Sequence, residues 1–158
     1  MLQPLRVLLI EDSEDDATLL LRELRKGGYR PECQRVDNGA DLEAALAAGP
    51  WDVVITDHNL PGFSSEAALA AVQRTGLDVP VIIVSGSIGE SIAVAAMKSG
   101  AHDYIMKSNL ARLVPAIDRE LREAETRRAH RRAQETIRHL AFHDALTGPW
   151  GGPLPPRI

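Results

Sequence analysis

The stretch VVITDHNLPG, residues 53–62, decides how the rest of the chain is read. Val53, Val54 and Ile55, with Thr56, make a short β-branched run of the kind found in strands covered on both faces. The run ends on a carboxylate, Asp57, and a Pro-Gly turn signal follows at 61–62. A buried strand therefore delivers an acid to its own tip. In an open parallel sheet, functional groups gather at the carboxyl ends of the strands, so the stretch predicts an α/β fold with Asp57 on its working rim.

The flanking sequence repeats the pattern. LRVLLI (5–10), ECQRV (32–36), DVVIT (52–56), VPVIIVS (79–85) and HDYIM (102–106) are expected strands, the second polar enough for an edge. Between them, residues 14–26 place Ala17, Leu20, Leu21 and Leu24 on one stripe before Gly27-Gly28. GADLEAALAAG (39–49), SSEAALAAVQRTG (64–76) and GESIAVAAMKSG (89–100) each close on Gly, as helices do. A last helix begins near Leu113, with Pro115 tolerated in its first turn, and no breaker interrupts it from Ala116 to Thr147. Such βα alternation implies right-handed crossovers and a five-stranded parallel sheet.

Composition bounds the function classes. The 158 residues are 44% hydrophobic and 25% charged, ordinary for a soluble globular chain. No apolar run nears the ~20 residues of a membrane helix and no signal-peptide pattern opens the chain, so no membrane partner is expected. A single cysteine, Cys33, excludes an internal disulfide and fits a reducing, cytoplasmic setting. Residues 1–118 hold 10 Lys+Arg against 17 Asp+Glu, whereas residues 119–158 hold 8 against 5. The charge shift marks an organisational boundary near residue 118, and the chain is read as a domain over 1–125 followed by a helical linker over 126–148. Arg127, Arg128, Arg131 and Arg132 lie in that linker, but interspersed Glu and the lack of a helix-turn-helix argue against nucleic acid.

The strand ends collect Glu11 and Asp12 after the first strand, Asp57 after the third, Ser85 after the fourth and Lys107 after the fifth. Three crowded acids need a cation or a shared proton. Mg²⁺ takes oxygen ligands and keeps waters, which suits Asp12, Asp57 and a neighbouring carbonyl; Mn²⁺ has similar preferences. Lys107 balances the charge and can hold an added anion. The set is suited to accepting a phosphoryl group.

With IEDSEDD, VVITDHNLPG, VIIVSGS and GAHDYIMK in order, spaced by 45, 28 and 22 residues between Asp12, Asp57, Ser85 and Lys107, the chain resembles the receiver domain of two-component response regulators. The resemblance implies a flavodoxin-like (βα)5 doubly wound sheet with strand order 2-1-3-4-5 and an extended C-terminal helix. It makes Asp57 the phosphoacceptor, served by a histidine kinase or phosphotransfer protein. It gives Glu11, Asp12, Asp57 and the backbone carbonyl of Asn59 to the metal, and Ser85 and Lys107 to the phosphoryl oxygens. Tyr104 takes the switch position, coupling the site to the face of the fourth helix, fifth strand and fifth helix. The family commonly has Pro after this Lys; Ser108 stands there instead, so a trans bond and a reshaped loop are expected.

LAFHDALTG (140–148) resembles the segment that opens diguanylate cyclase (GGDEF) domains. The chain then reads PWGGPLPPRI, in which Gly151-Gly152 lacks the acids of that family's signature. The expectation is a receiver and signalling helix, truncated before a cyclase output, with residues 149–158 unstructured and non-native. No cyclase activity is expected of this chain. The helix offers only the thin seam Ala129, Ala133, Ile137 and Leu140 for a homodimer. The alternative reading is a non-phosphorylated pseudo-receiver serving as an interaction or dimerisation module.

Overall fold

The computed structural model describes residues 2–60, 62–86 and 90–147; the expectations for 149–158 lie outside them. In chain order the elements are β1 (Gln3–Ile10), α1 (Glu14–Lys26), β2 (Tyr29–Val36), α2 (Gly39–Ala48), β3 (Val53–Asp57), β4 (Asn59–Leu60), β5 (Phe63–Ser64), α3 (Ser65–Arg74), β6 (Val81–Ser85), α4 (Glu90–Lys98) and β7 (Asp103–Met106). A 3-10 turn over Lys107–Arg112 leads into α5 (Leu113–Thr147).

The five long strands pair in parallel in the order β2-β1-β3-β6-β7, which is 2-1-3-4-5 when only those strands are counted. This is the doubly wound arrangement anticipated above. The small antiparallel hairpin β4–β5, in which Asn59 pairs with Ser64 and Leu60 with Phe63, was not expected from the sequence. Two-residue strands carry no periodicity from which to read them. The edge strand β2 also starts earlier than expected, because Pro31 is accommodated on an edge where no ladder donor is needed on its open side.

Alternate residues of the central strands feed two cores. Val7, Leu9, Val53, Ile55, Ile82 and Ile105 pack with Leu20 and Leu24 of α1 and Leu113 and Ile117 of α5. Leu8, Ile10, Val54 and Ile83 pack with Leu42 and Leu46 of α2, Leu69 and Val72 of α3 and Ala96 of α4. Both faces being covered explains why these strands lack polar alternation. Each fully buried Leu or Ile contributes roughly 1.5–3 kcal/mol relative to exposure, so these two cores hold the helices of the first unit onto the sheet.

No cis peptide bond occurs among the described residues, and the loop after Lys107 takes the 3-10 form. The described residues fall into two compact units divided between Arg122 and Glu123. In the second, Glu125 pairs with Arg128 and Arg132 at 3.3 Å each, while Ile137 and Leu140 are exposed. No helix among the described residues is long and apolar enough to cross a membrane.

Candidate functional site

Glu11 leaves the end of β1 with its backbone N–H donating to the Val36 carbonyl, so pairing of β1 with β2 fixes where its side chain starts. Asp57 is the last residue of β3, paired with Val84 of β6, and the next N–H, that of His58, donates to the Val84 carbonyl at 3.0 Å. Ser85 ends β6 opposite Met106, and Lys107 follows directly after β7. Four parallel strands thus deliver Glu11, Asp57, Ser85 and Lys107 to one rim. Asn59 opens β4 two residues beyond Asp57.

Glu11 and Asp57 are 1% and 6% exposed, while Asp12 is open to solvent. Oxygens of these three carboxylates lie within 4.8 Å of one another, a spacing that one small cation can span. An all-oxygen donor set with an open side fits Mg²⁺ or Mn²⁺. Lys107 closes the charge balance: its Nζ donates to Asp16 Oδ2 at 2.6 Å, Glu11 Oε1 at 3.0 Å and Asp57 Oδ2 at 3.3 Å. Glu11's other oxygen accepts from the Ser13 backbone N–H at 3.2 Å.

The electrostatics follow from this crowding. Burial pushes the Glu11 carboxyl up to about 7; the Lys107 hydrogen bond opposes that rise and the neighbouring Asp57 reinforces it. Burial alone would lower Lys107, but its bonds to Asp16 and Glu11 hold the ammonium above its ordinary value. Lys107 is therefore a fixed positive charge at any physiological pH.

Asp16 was not among the residues singled out from sequence. Glu14, Asp15 and Asp16 all sit in the first turn of α1, where acids are favoured by the helix dipole whatever their further role. The Ser13 hydroxyl accepts from the Asp16 N–H and caps the helix, which marks where α1 starts. The packing of α1 through Leu20 and Leu24 then leaves Asp16 as the acid of that turn bonded to Lys107.

Tyr104 lies half-buried on β7, its ring packed against the core between the sheet and α2–α4. Its hydroxyl is buried without a hydrogen-bond partner. The ring lies 6.3 Å from that of His58, whose Nδ1 is 2.8 Å from Ser65 Oγ at the start of α3. His58 therefore links the residue after Asp57 to α3 and to Tyr104, and it lines a cavity of about 210 Å³ with Ser65, Leu69, Ile83 and Ala96. Ser85 is fully buried at the rim.

Residues 7–118 match the family model described as the response regulator receiver domain. The chain is 30% identical over 122 residues to the DNA-binding transcriptional regulator NtrC of Rhizobium meliloti (strain 1021), covering 77% of this chain and 25% of that protein. It is 32% identical over 118 residues to the transcriptional regulatory protein PrrA of Mycobacterium tuberculosis (strain ATCC 25618 / H37Rv), covering 74% of this chain and 50% of that one. The chain thus spans a quarter to half the length of these relatives. Among solved structures, it superposes on the signal receiver domain of a Luxo repressor protein from Vibrio parahaemolyticus with a TM-score of 0.70 and 27% identity, over 80% of this chain and 96% of that one.

Proposed function

The chain belongs to the response regulator receiver family and works in two-component signalling, and on that footing we propose that Asp57 is its phosphoacceptor. The observation that carries this is the convergence of Glu11, Asp12, Asp57 and Lys107 at the carboxyl ends of the sheet, with the Lys107 ammonium 3.3 Å from Asp57 Oδ2. In the proposed reaction an Asp57 carboxylate oxygen forms a bond to phosphorus while the donor's P–N or P–O bond breaks. The donor, a phosphohistidine of a kinase or phosphotransfer protein or a small acyl phosphate, departs with the bonding electrons.

Glu11, Asp12, Asp57 and the Asn59 carbonyl would hold Mg²⁺, or Mn²⁺. The cation supplies charge neutralisation for the in-line transfer. Lys107 and Ser85 would then take the phosphoryl oxygens. Catalysis of this kind needs positioning and fixed charge rather than a titrating base, which suits groups anchored on strand ends. Readout is assigned to Tyr104: a buried hydroxyl without a partner costs about 1–3 kcal/mol, so the present position of the ring favours a second one.

The output is proposed to be a diguanylate cyclase beyond α5, on the strength of the LAFHDALTG segment, with α5 also supporting a homodimer. The setting is taken as cytoplasmic. The relatives' DNA-binding descriptions refer to proteins of which this chain covers only part. The test is intact mass after incubation with Mg²⁺ and acetyl phosphate, beside Asp57→Asn. A gain of one phosphoryl group in the wild type alone is expected. A folded wild type that gains no mass from acetyl phosphate or a kinase would instead indicate a pseudo-receiver acting as an interaction module.

A further inference from the structure

We propose that Asp16 is the positioning residue that keeps Lys107 at the phosphoacceptor site when Glu11 and Asp57 turn to the metal. This rests on the reading of Asp57 given above. The ammonium of Lys107 has three protons to donate and no more. In the structure it has three acceptors, one oxygen each from Glu11, Asp16 and Asp57. All three donors are therefore spoken for before any phosphoryl group arrives.

The three acceptors differ in what else they do. Glu11 and Asp57 contribute oxygens to the cluster spanning 4.8 Å that suits a cation; Asp16 does not. Once carboxylates of that cluster coordinate a cation, their attraction for an ammonium falls. Two of the three protons are then freed for phosphoryl oxygens. With no third partner, the flexible stem of Lys107 could swing to solvent, since the side chain keeps 21% of its surface exposed.

Asp16 removes that freedom. At 2.6 Å its bond is the shortest of the three, and it is charge-assisted. Its backbone is held by the Ser13 cap at the start of α1, so the anchor is a helix and not a loop. The helix itself is pinned by Leu20 and Leu24 in the core. One donor stays on Asp16 and two face the acceptor, a division that only a three-donor ammonium allows. Arg at position 107 would present a planar fork to the same partners and reproduce it poorly.

The test compares wild type, Asp16→Asn and Asp16→Glu. Phosphorylation by acetyl phosphate in Mg²⁺ is followed by intact mass, with Mg²⁺ affinity read separately by isothermal titration. Asp16→Asn is expected to lower the phosphorylation rate about tenfold, the loss of one charge-assisted bond, while changing Mg²⁺ affinity by less than threefold. Asp16→Glu should restore most of the rate. In nitrogen-15 spectra of the Mg²⁺-loaded, unphosphorylated protein, the Lys107 ammonium should be observable in wild type and lost to solvent exchange in Asp16→Asn.

An Asp16→Asn protein that folds and is phosphorylated at the wild-type rate, or faster, overturns the proposal. So does an ammonium signal that survives the substitution. Failure of the underlying reading looks different: wild type itself would gain no phosphoryl mass, whatever stands at residue 16.

Discussion

Tyr29 shows how a single side chain ties distant segments of this fold together. It opens β2, is nearly fully buried, and its hydroxyl donates to the Asp118 carboxylate on α5, 89 residues away. Burial and that neighbouring carboxylate both push the phenol well above its ordinary value. A group whose folded-state pKa is raised binds its proton more tightly in the fold than in the unfolded chain. The stabilisation is thus complete below the unfolded value of about 10 and is lost as pH climbs beyond it. Tyr29→Phe should cost about 1–2 kcal/mol in urea unfolding at pH 7. The gap between variant and wild type should narrow between pH 9.5 and 11; a gap that widens there would mean the bond to Asp118 is not what stabilises.

At the scale of elements, the join between α1 and α5 rests on an absent side chain. Gly27 caps α1 with a φ of −84°, a conformation open to any residue, so flexibility is not why glycine stands there. A Cβ at that position would lie 2.5 Å from a methyl group of Val114 in the first turn of α5. Neither a β-branched side chain nor the packed helix bearing it gives way cheaply. Gly27→Ala should therefore destabilise by about 1–3 kcal/mol. Pairing it with Val114→Ala should recover part of the loss, so that the double variant is more stable than the two single effects summed. Strict additivity in thermal unfolding would show that the two helices do not meet through these residues. Gly28 next door, at φ +98° with nothing within 4 Å, is the opposite case: there is room for a side chain, but the backbone is one that an L-residue enters only with strain.

For the whole molecule, the division between Arg122 and Glu123 separates the unit carrying the acidic rim from the Arg-rich part of α5. Ile137 and Leu140 are 68% and 57% exposed, and a seam so thin stabilises only a weak pair of helices. A shortened chain ending at residue 125 should fold, take up phosphoryl mass at Asp57 as the full chain does, and sediment as a monomer. The full chain should self-associate at tens of micromolar, and Ile137→Glu should abolish this. Equal sedimentation of the three proteins would remove α5 from any role in dimerisation and leave the receiver unit as the part to examine.

The five strands, the helix of residues 14–26 and the position of Asp57 at a strand tip were legible because each rests on a local pattern, whereas the lateral order of the strands came from the family resemblance. Val-Ile runs report burial on both faces, Gly27 reports a helix end, and a turn signal reports where β3 stops. Glu11, Asp12, Ser85 and Lys107 could be placed on the same rim by topology alone, since parallel strands point their carboxyl ends one way. The partner of Lys107 could not. Which of three consecutive acids in α1 meets an ammonium 91 residues away depends on helix phase and on the packing of α1 against the sheet. The same holds for the stranded Tyr104 hydroxyl and for the fit of Gly27 beneath Val114. Sequence alone determines which elements form and where along the chain each begins and ends. Only the tertiary structure decides which charges meet, because that choice is made by distances between segments that share no period.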